Sequence, residues 1–202
     1  TQGGDPDVLR KAGDRLSHEF LTAALAGLRP GDVVLSEEGA DNPARLGARR
    51  VWIVDPLDGT REFGEPGRTD WAVHVALWEK GDVSGPGGLT AGAVALPAQG
   101  TVLSTAEPPP GTPGDEAPAR IRIVVSRSRP PSFVRNISGL INAELVPLGS
   151  AGAKVAAVVC GEVDAYVHGG GFYEWDTAAP VAVARAVGLH ASRVDGSALA
   201  YN

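Results

Sequence analysis

Val51-Trp52-Ile53-Val54-Asp55-Pro56-Leu57-Asp58-Gly59-Thr60 sets four apolar residues in a row directly against two carboxylates, a proline and a glycine. The apolar run reads as a strand covered on both faces, and Asp55 to Thr60 as the turn that ends it. The same handover recurs elsewhere. Val33-Val34-Leu35 is followed at once by Ser36-Glu37-Glu38, and Asp176 opens a helix after Trp175. Glu37, Asp55, Asp58 and Asp176 thus stand where regular structure gives way to loop or helix. Ligands of open α/β sheets collect at the carboxyl ends of strands. Hard cations such as magnesium take carboxylate oxygens, and converging carboxylates repel one another unless a cation neutralises them. Each acid alone has a plainer reading as a turn former or helix cap, and Glu37-Glu38 as a surface pair. A double carboxylate closing a fully apolar strand, with Gly59 to let an anion near the backbone amides and Thr60 to add a hydroxyl, points to a phosphate-ester site in outline.

The rest of the chain bounds what such a site serves. The 202 residues are 43% hydrophobic, enough for a core, and carry a net charge of −6, with a pI near 5.2. That balance excludes a non-specific binder of nucleic-acid polymers and leaves room for a small anionic substrate brought in by a metal. No apolar run approaches a membrane span and no charged-then-apolar leader is present, so no membrane partner is expected. The single cysteine, Cys160, permits no internal disulfide and fits the cytoplasm. The chain opens on Thr1 and holds no methionine, which reads as a trimmed start.

Asp14 to Leu28 places Leu16, Phe20, Leu21, Ala24, Leu25 and Leu28 at spacings of three and four, which predicts an amphipathic helix burying that stripe. Trp71–Trp78, Ala91–Leu96 and Thr101–Leu103 read as an antiparallel meander, the first pair joined across Gly81–Gly88. Pro108 to Pro118 is a Pro/Gly-rich loop. Beyond it strands at Ile121–Val125, Ala143–Val146, Val163–Val167 and Leu189–Ala191 alternate with helices at Pro131–Leu140, Ser150–Val159 and Asp176–Val187, the pattern of an α/β layered unit. The expected division is an N-terminal α+β half over 1–106, a loop over 107–119 and an α/β half over 120–202, together one catalytic unit.

Val51–Thr60 resembles the signature of the inositol monophosphatase-like, lithium-sensitive phosphatases, a hydrophobic strand followed by D-P-[IL]-D-G-T. Trp175-Asp176-Thr177-Ala178-Ala179-Pro180 is similar to the same superfamily's W-D-x-A-[AG]-x, Ser36-Glu37-Glu38 to its acidic pair, and Asp14 to its upstream aspartate. The resemblance implies an alternating α-β-α-β-α sandwich and a site between the halves holding two or three magnesium ions. Glu37, Asp55 and the Leu57 carbonyl would hold one ion and Asp55, Asp58 and Asp176 a second. Gly59 and Thr60 would cradle the phosphate. Asp14 would bond the Thr60 hydroxyl, which with Glu37 helps activate water for an in-line displacement. It also implies longer flanks at both ends, which often join a homodimer.

Finer features favour a substrate. Arg61-Glu62-Phe63 resembles the K/R-E-F of 3'(2'),5'-bisphosphate nucleotidases, and Ser126-Arg127-Ser128-Arg129 their S-R-S-H, with Arg where histidine is usual. Gly149-Ser150 and Lys154 keep the places of G-S-S-x-K. With His168 beside a glycine run, these are the substrate candidates. The plainer readings are a solvated rim for Arg127 and Arg129, a snorkelling Lys154 and a helix cap for Gly149-Ser150. His74 reads as a hydrogen-bonded core histidine, His18 as solvent-facing, Cys160 as a packing residue, and the tryptophans as core. The leading expectation is hydrolysis of the 3'-phosphate of adenosine 3',5'-bisphosphate, and of its 5'-phosphosulfate analogue, within sulfate assimilation. The alternatives are an inositol 1-phosphate or fructose 1,6-bisphosphate phosphatase and a non-catalytic metal-binding regulator.

Overall fold

A computed structural model describes residues 5–82, 87–109 and 119–202. Part of the Gly81–Gly88 connection and most of the Pro108–Pro118 loop lie outside the described residues.

Helix α1 spans Pro6–Leu28. Asp5 caps it by accepting from the Asp7 amide, and Pro6 takes a position where no N–H is needed. Arg29-Pro30 ends it, because the residue before a proline is pushed out of helical geometry. Strand β1 (Val33–Ser36) pairs in parallel with β2 (Arg50–Asp58), setting Leu35 opposite Ile53. The chain then meanders antiparallel through β3 (Ala72–Glu79), β4 (Gly88–Leu96) and β5 (Thr101–Ser104), giving the sheet order β1-β2-β3-β4-β5. The short helix α2 (Thr60–Phe63) sits between β2 and β3.

The second sheet is parallel, with β6 (Arg122–Ser126) flanked by β7 (Glu144–Leu148) and β8 (Ala165–Tyr166). Helix α3 (Ser132–Leu140) packs Val134 against Ile123 and Val125 on one face of it. On the other face Val124 meets Ala157 of α4 (Ala151–Val159). Helices α4 and α5 (Glu174–Ala186) also cover the first sheet, where Ala153, Ala156, Val159, Ala178, Ala179 and Val183 share a core with Val51, Ile53, Ala72, Ala76 and Val94. The layers therefore run α1, first sheet, α4 with α5, second sheet, α3. This is the α-β-α-β-α order expected. Each fully buried Val or Ile in that central core contributes about 1.5–3 kcal/mol. The alanines set how near the helices come. A side chain on Gly92 of β4 would lie 2.7 Å from the Ala182 Cβ of α5, so α5 rests almost on the strand backbone.

Three expectations are corrected. The α1 stripe is split: Phe20 is 71% and Leu28 70% exposed, with Leu16 also out, while Leu21, Ala24 and Leu25 are half-buried. The sheet side of α1 includes Gly13, Asp14, Ser17, His18 and Leu21, and Ser17 donates to the Pro56 carbonyl at 2.7 Å. A polar row faces inward because it serves the site rather than the core. Asp55–Asp58 is no turn but a bulged continuation of β2. Leu189–Ala191 is no strand: Gly188 adopts φ +81, and the Leu189 amide donates back to Ala184 at 3.0 Å, closing the end of α5.

Candidate active site

The bulge in β2 makes the site. On a regular strand Asp55 and Asp58, three residues apart, would point to opposite faces. Asp55 pairs with His74 and Asp58 with Ala72, so β2 holds one more residue than β3 over this stretch. That extra residue turns both carboxylates to the same side. Asp176, third residue of α5, arrives from the middle helical layer and accepts from the Tyr173 amide at 2.7 Å. Carboxylate oxygens of Asp55, Asp58 and Asp176 lie within 4.8 Å of one another. Glu37 stands just past β1, its amide bonded to the Val54 carbonyl at 3.2 Å, so it borders Asp55 across the parallel pair.

The cluster is acidic and largely shut off from water. Asp55 is 1% exposed. Burial, then Asp58, Glu37 and Asp176, push its carboxyl far above the usual range, against a 3.0 Å bond from the Leu57 amide. Loss of water raises Glu37 to about 7; a hydrogen bond with Asp55 opposes this, and the charges of Asp176, Asp14 and Glu38 add to it. Burial also raises Asp176. For Asp58 burial works upward too, but contact with His74, the Ser150 hydroxyl and the Gly152 amide outweigh it and hold the group low. An all-oxygen donor set whose like charges are only partly offset by His74 and Lys154 fits a hard divalent cation.

Around the cluster, Gly59 adopts φ +86, a left-handed turn that favours glycine, and leads into α2. The Thr60 hydroxyl has one hydrogen to give and two acceptors in reach, the Leu57 carbonyl at 3.1 Å and Asp14 Oδ1 at 3.5 Å. Asp14 is raised to about 6, chiefly by burial and then by Glu38, against the Thr60 bond. The carboxylates expected as ligands, Thr60 and Asp14 thus lie together in the structure.

The substrate candidates fare differently. Arg61 is exposed. Arg127 is held by Glu62 at 2.7 Å and Glu65 at 2.8 Å, which is neither a free rim nor an open phosphate contact. Ser126 accepts from the Arg129 amide at 3.2 Å. The Gly149 amide donates to Asp70, itself paired with Arg68. Ser150 caps α4 and donates to Asp58 at 2.5 Å, so its hydroxyl serves a carboxylate. Lys154 does not snorkel. It is 3% exposed and folds back onto the Gly149 and Ser150 carbonyls, 5.3 Å from the centre of the Tyr166 ring. His168 is half-buried, accepts from the Gly170 amide at 2.9 Å and lies 4.2 Å from the Phe172 ring.

Smaller readings also shift. His18 is not solvent-facing, since its Nδ1 lies 2.9 Å from the Ser36 hydroxyl. Cys160 is exposed rather than packed. Of the tryptophans only Trp78 is fully buried, the other three being half-exposed. His74 is in the core and hydrogen-bonded as expected. Its position opposite Asp55 follows from strand register and is invisible until the pairing is known.

The comparisons with known proteins agree with this geometry. A description of the inositol monophosphatase family matches residues 2–202. The chain belongs to the inositol monophosphatase family. Within it, the chain is 52% identical over 201 residues to a protein of Mycobacterium leprae named 3'-phosphoadenosine 5'-phosphate phosphatase, a match covering 98% of this chain and 74% of that one. It is 33% identical to 3'(2'),5'-bisphosphate nucleotidase CysQ of Escherichia coli, over 94% of this chain and 78% of its relative. The structure of CysQ from Bacteroides thetaiotaomicron superposes with a TM-score of 0.67 at 30% identity, over 87% of this chain and 72% of the other. Inositol monophosphatase II of Staphylococcus aureus superposes with a TM-score of 0.80 at 22% identity, over 98% and 78%, which speaks for the family's fold alone. The family is metal-dependent, and the Asp55, Asp58, Asp176 cluster is where a cation fits. No helix among the described residues is long and apolar enough to cross a membrane.

Proposed function

We propose that this protein is a magnesium-dependent phosphatase that removes the 3'-phosphate of adenosine 3',5'-bisphosphate, and of 3'-phosphoadenosine 5'-phosphosulfate. The observation that carries the chemistry is the convergence of Asp55, Asp58 and Asp176 within 4.8 Å beside the Gly59-Thr60 turn. The choice of nucleotide rests on the 52% identity to a 3'-phosphoadenosine 5'-phosphate phosphatase and on Arg61-Glu62-Phe63. Glu37, Asp55 and the Leu57 carbonyl would hold one magnesium, and Asp55, Asp58 and Asp176 a second. Bound there, the ions supply charge neutralisation at the phosphate and activation of water.

The chain's own groups do the rest. Gly59 and Thr60 orient the phosphate. Asp14 and the Leu57 carbonyl are both placed to accept the one hydrogen of the Thr60 hydroxyl, which leaves its lone pairs for the attacking water, and Thr60 and Glu37 stand as the pair that orients and deprotonates that water. Gly149, Ser150, Lys154 and His168 edge the region where the nucleoside would lie, with Lys154 as a buried counter-charge rather than a direct phosphate ligand. Residues 1–106 and 120–202 act as two halves of one unit in this reading. The setting proposed is the cytoplasm, as a homodimer, which sedimentation would test.

The deciding experiment is phosphate release with magnesium present, comparing adenosine 3',5'-bisphosphate, inositol 1-phosphate and fructose 1,6-bisphosphate. The expected result is a preference for the nucleotide of about a hundredfold in kcat/KM, or about 2.7 kcal/mol of transition-state discrimination. Preference for the inositol or sugar ester would move the assignment to those substrates. No hydrolysis at all would leave a metal-binding regulator.

A further inference from the structure

His74 is completely buried, with an exposure of 0%. An imidazole in such a place is costly, and here one nitrogen is hydrogen-bonded while the other only faces a carboxylate. Its Nδ1 lies 3.2 Å from the Trp175 carbonyl. A carbonyl only accepts, so Nδ1 carries the hydrogen and donates it. On the opposite side of the ring Nε2 lies 3.3 Å from Asp58 Oδ2, in contact but without hydrogen-bond alignment. Asp55 Oδ2 is 3.9 Å from Nδ1, because Asp55 is the cross-strand partner of His74.

One side chain therefore touches three segments of the cation cluster: Asp55 and Asp58 on the two flanks of the β2 bulge, and the carbonyl of the residue before Asp176. The last of these matters because the first turn of α5 is weakened from within. Pro180 has no N–H, so the Asp176 carbonyl lacks its partner four residues on. Nothing in the helix ladder alone fixes that turn against the sheet. The space around the ring is closed as well, since any side chain on Gly152 would strike His74 Nε2 and lie 3.0 Å from the Ala72 Cβ. The ring is thus held by strand, helix and glycine, and bears on the ligands in turn.

We propose that His74 is a positioning residue that couples the β2 bulge to the start of α5, holding Asp55, Asp58 and Asp176 at the spacing a divalent cation requires. This rests on the metal-site reading above. Outer-shell partners of this kind typically change metal affinity by about ten- to a hundredfold when removed.

The test titrates Mn2+ into the metal-free wild type and into His74→Ala, His74→Asn and His74→Gln, following the free ion by electron paramagnetic resonance, with circular dichroism to establish folding. His74→Ala should weaken Mn2+ binding about tenfold or more. His74→Asn, which keeps a donor for the Trp175 carbonyl, should recover part of the loss. In turnover with magnesium, the metal concentration for half-maximal rate should rise while the KM for substrate at saturating metal stays within about twofold, a split that general loosening of the core does not produce. A folded His74→Ala that binds Mn2+ as the wild type does overturns the proposal. If His74→Ala does not fold, His74→Asn and His74→Gln decide: wild-type affinity in both overturns it, and weakened affinity in either supports it. A wild type that binds no Mn2+ overturns the metal reading and this proposal together, so the two failures are told apart by the wild-type curve.

Discussion

Asp55 combines burial with three acidic neighbours, Asp58, Glu37 and Asp176. In the metal-free protein its carboxyl is held in the neutral form, so Asn is a close stand-in for the state that folds and a poor one for the state that binds. Asp55→Asn should therefore leave the metal-free melting temperature unchanged or higher at pH 8, while turnover with magnesium falls below about a hundredth of wild type, beyond the effect of an outer-shell change. A variant that melts early and loses activity in proportion would mean the carboxylate serves the fold instead. Arg127 presents the reverse case. Its guanidinium is shared between Glu62 and Glu65, and Glu62 is buried, so removing the arginine strands a carboxylate in the interior. Arg127→Ala should lower the melting temperature and leave KM nearly unchanged. A rise in KM at constant melting temperature would return Arg127 to the substrate.

At the scale of elements, α4 is set against β3 by a single missing side chain. Gly152 is the second residue of α4, a place where alanine is ordinarily tolerated, yet a Cβ here meets Ala72 and the His74 ring. Gly152→Ala should cost about 1–3 kcal/mol by overpacking, and the cost should shrink when combined with His74→Ala, because the second change opens the space the first one fills. Equal costs in both backgrounds would show that the ring is not what blocks the position. The carboxylates at strand ends were legible because residue type and position carry that signal locally. The stripe on α1 was only half right, because periodicity reports which residues share a face and the inward face combines Leu21, Ala24 and Leu25 with the polar row of Asp14, Ser17 and His18. Asp55 to Asp58 read as a turn because proline and glycine usually mark one, and only pairing with β3 reveals a bulge. His74, Glu62 and Asp70 owe their roles to neighbours 19, 65 and 79 residues away, distances at which no local pattern speaks.

At the scale of the whole molecule, the acidic cluster should set how stability responds to pH and to metal. Asp14 is raised to about 6 and Glu37 to about 7, with Asp55 and Asp176 raised as well. Each such group is easier to ionise in the unfolded chain, near its ordinary value of about 4. Its contribution is therefore fully present below that value and is lost as pH rises through the folded-state value. Asp32, Asp70 and Asp164 are shifted the other way and act only at more acid pH. His168 is lowered from 6.5 by burial and by Lys154, so it destabilises the fold on the acid side of the window, one half-buried ring against four carboxyls. The net expectation for metal-free protein is a melting temperature that falls between pH 5.5 and 8, by about 2–4 °C for each kcal/mol lost in a chain of this size. Magnesium binds the ionised cluster and not the unfolded chain, so it should stabilise more at pH 8 than at pH 5.5, by about 2.7 kcal/mol when present at a hundred times its dissociation constant. The check is a thermal melt across that range with chelator and with magnesium. Converging curves at acid pH and diverging ones at alkaline pH support a cation site formed by Glu37, Asp55, Asp58 and Asp176, whereas parallel curves would place the cation elsewhere and leave the cluster's charge balanced by the protein itself.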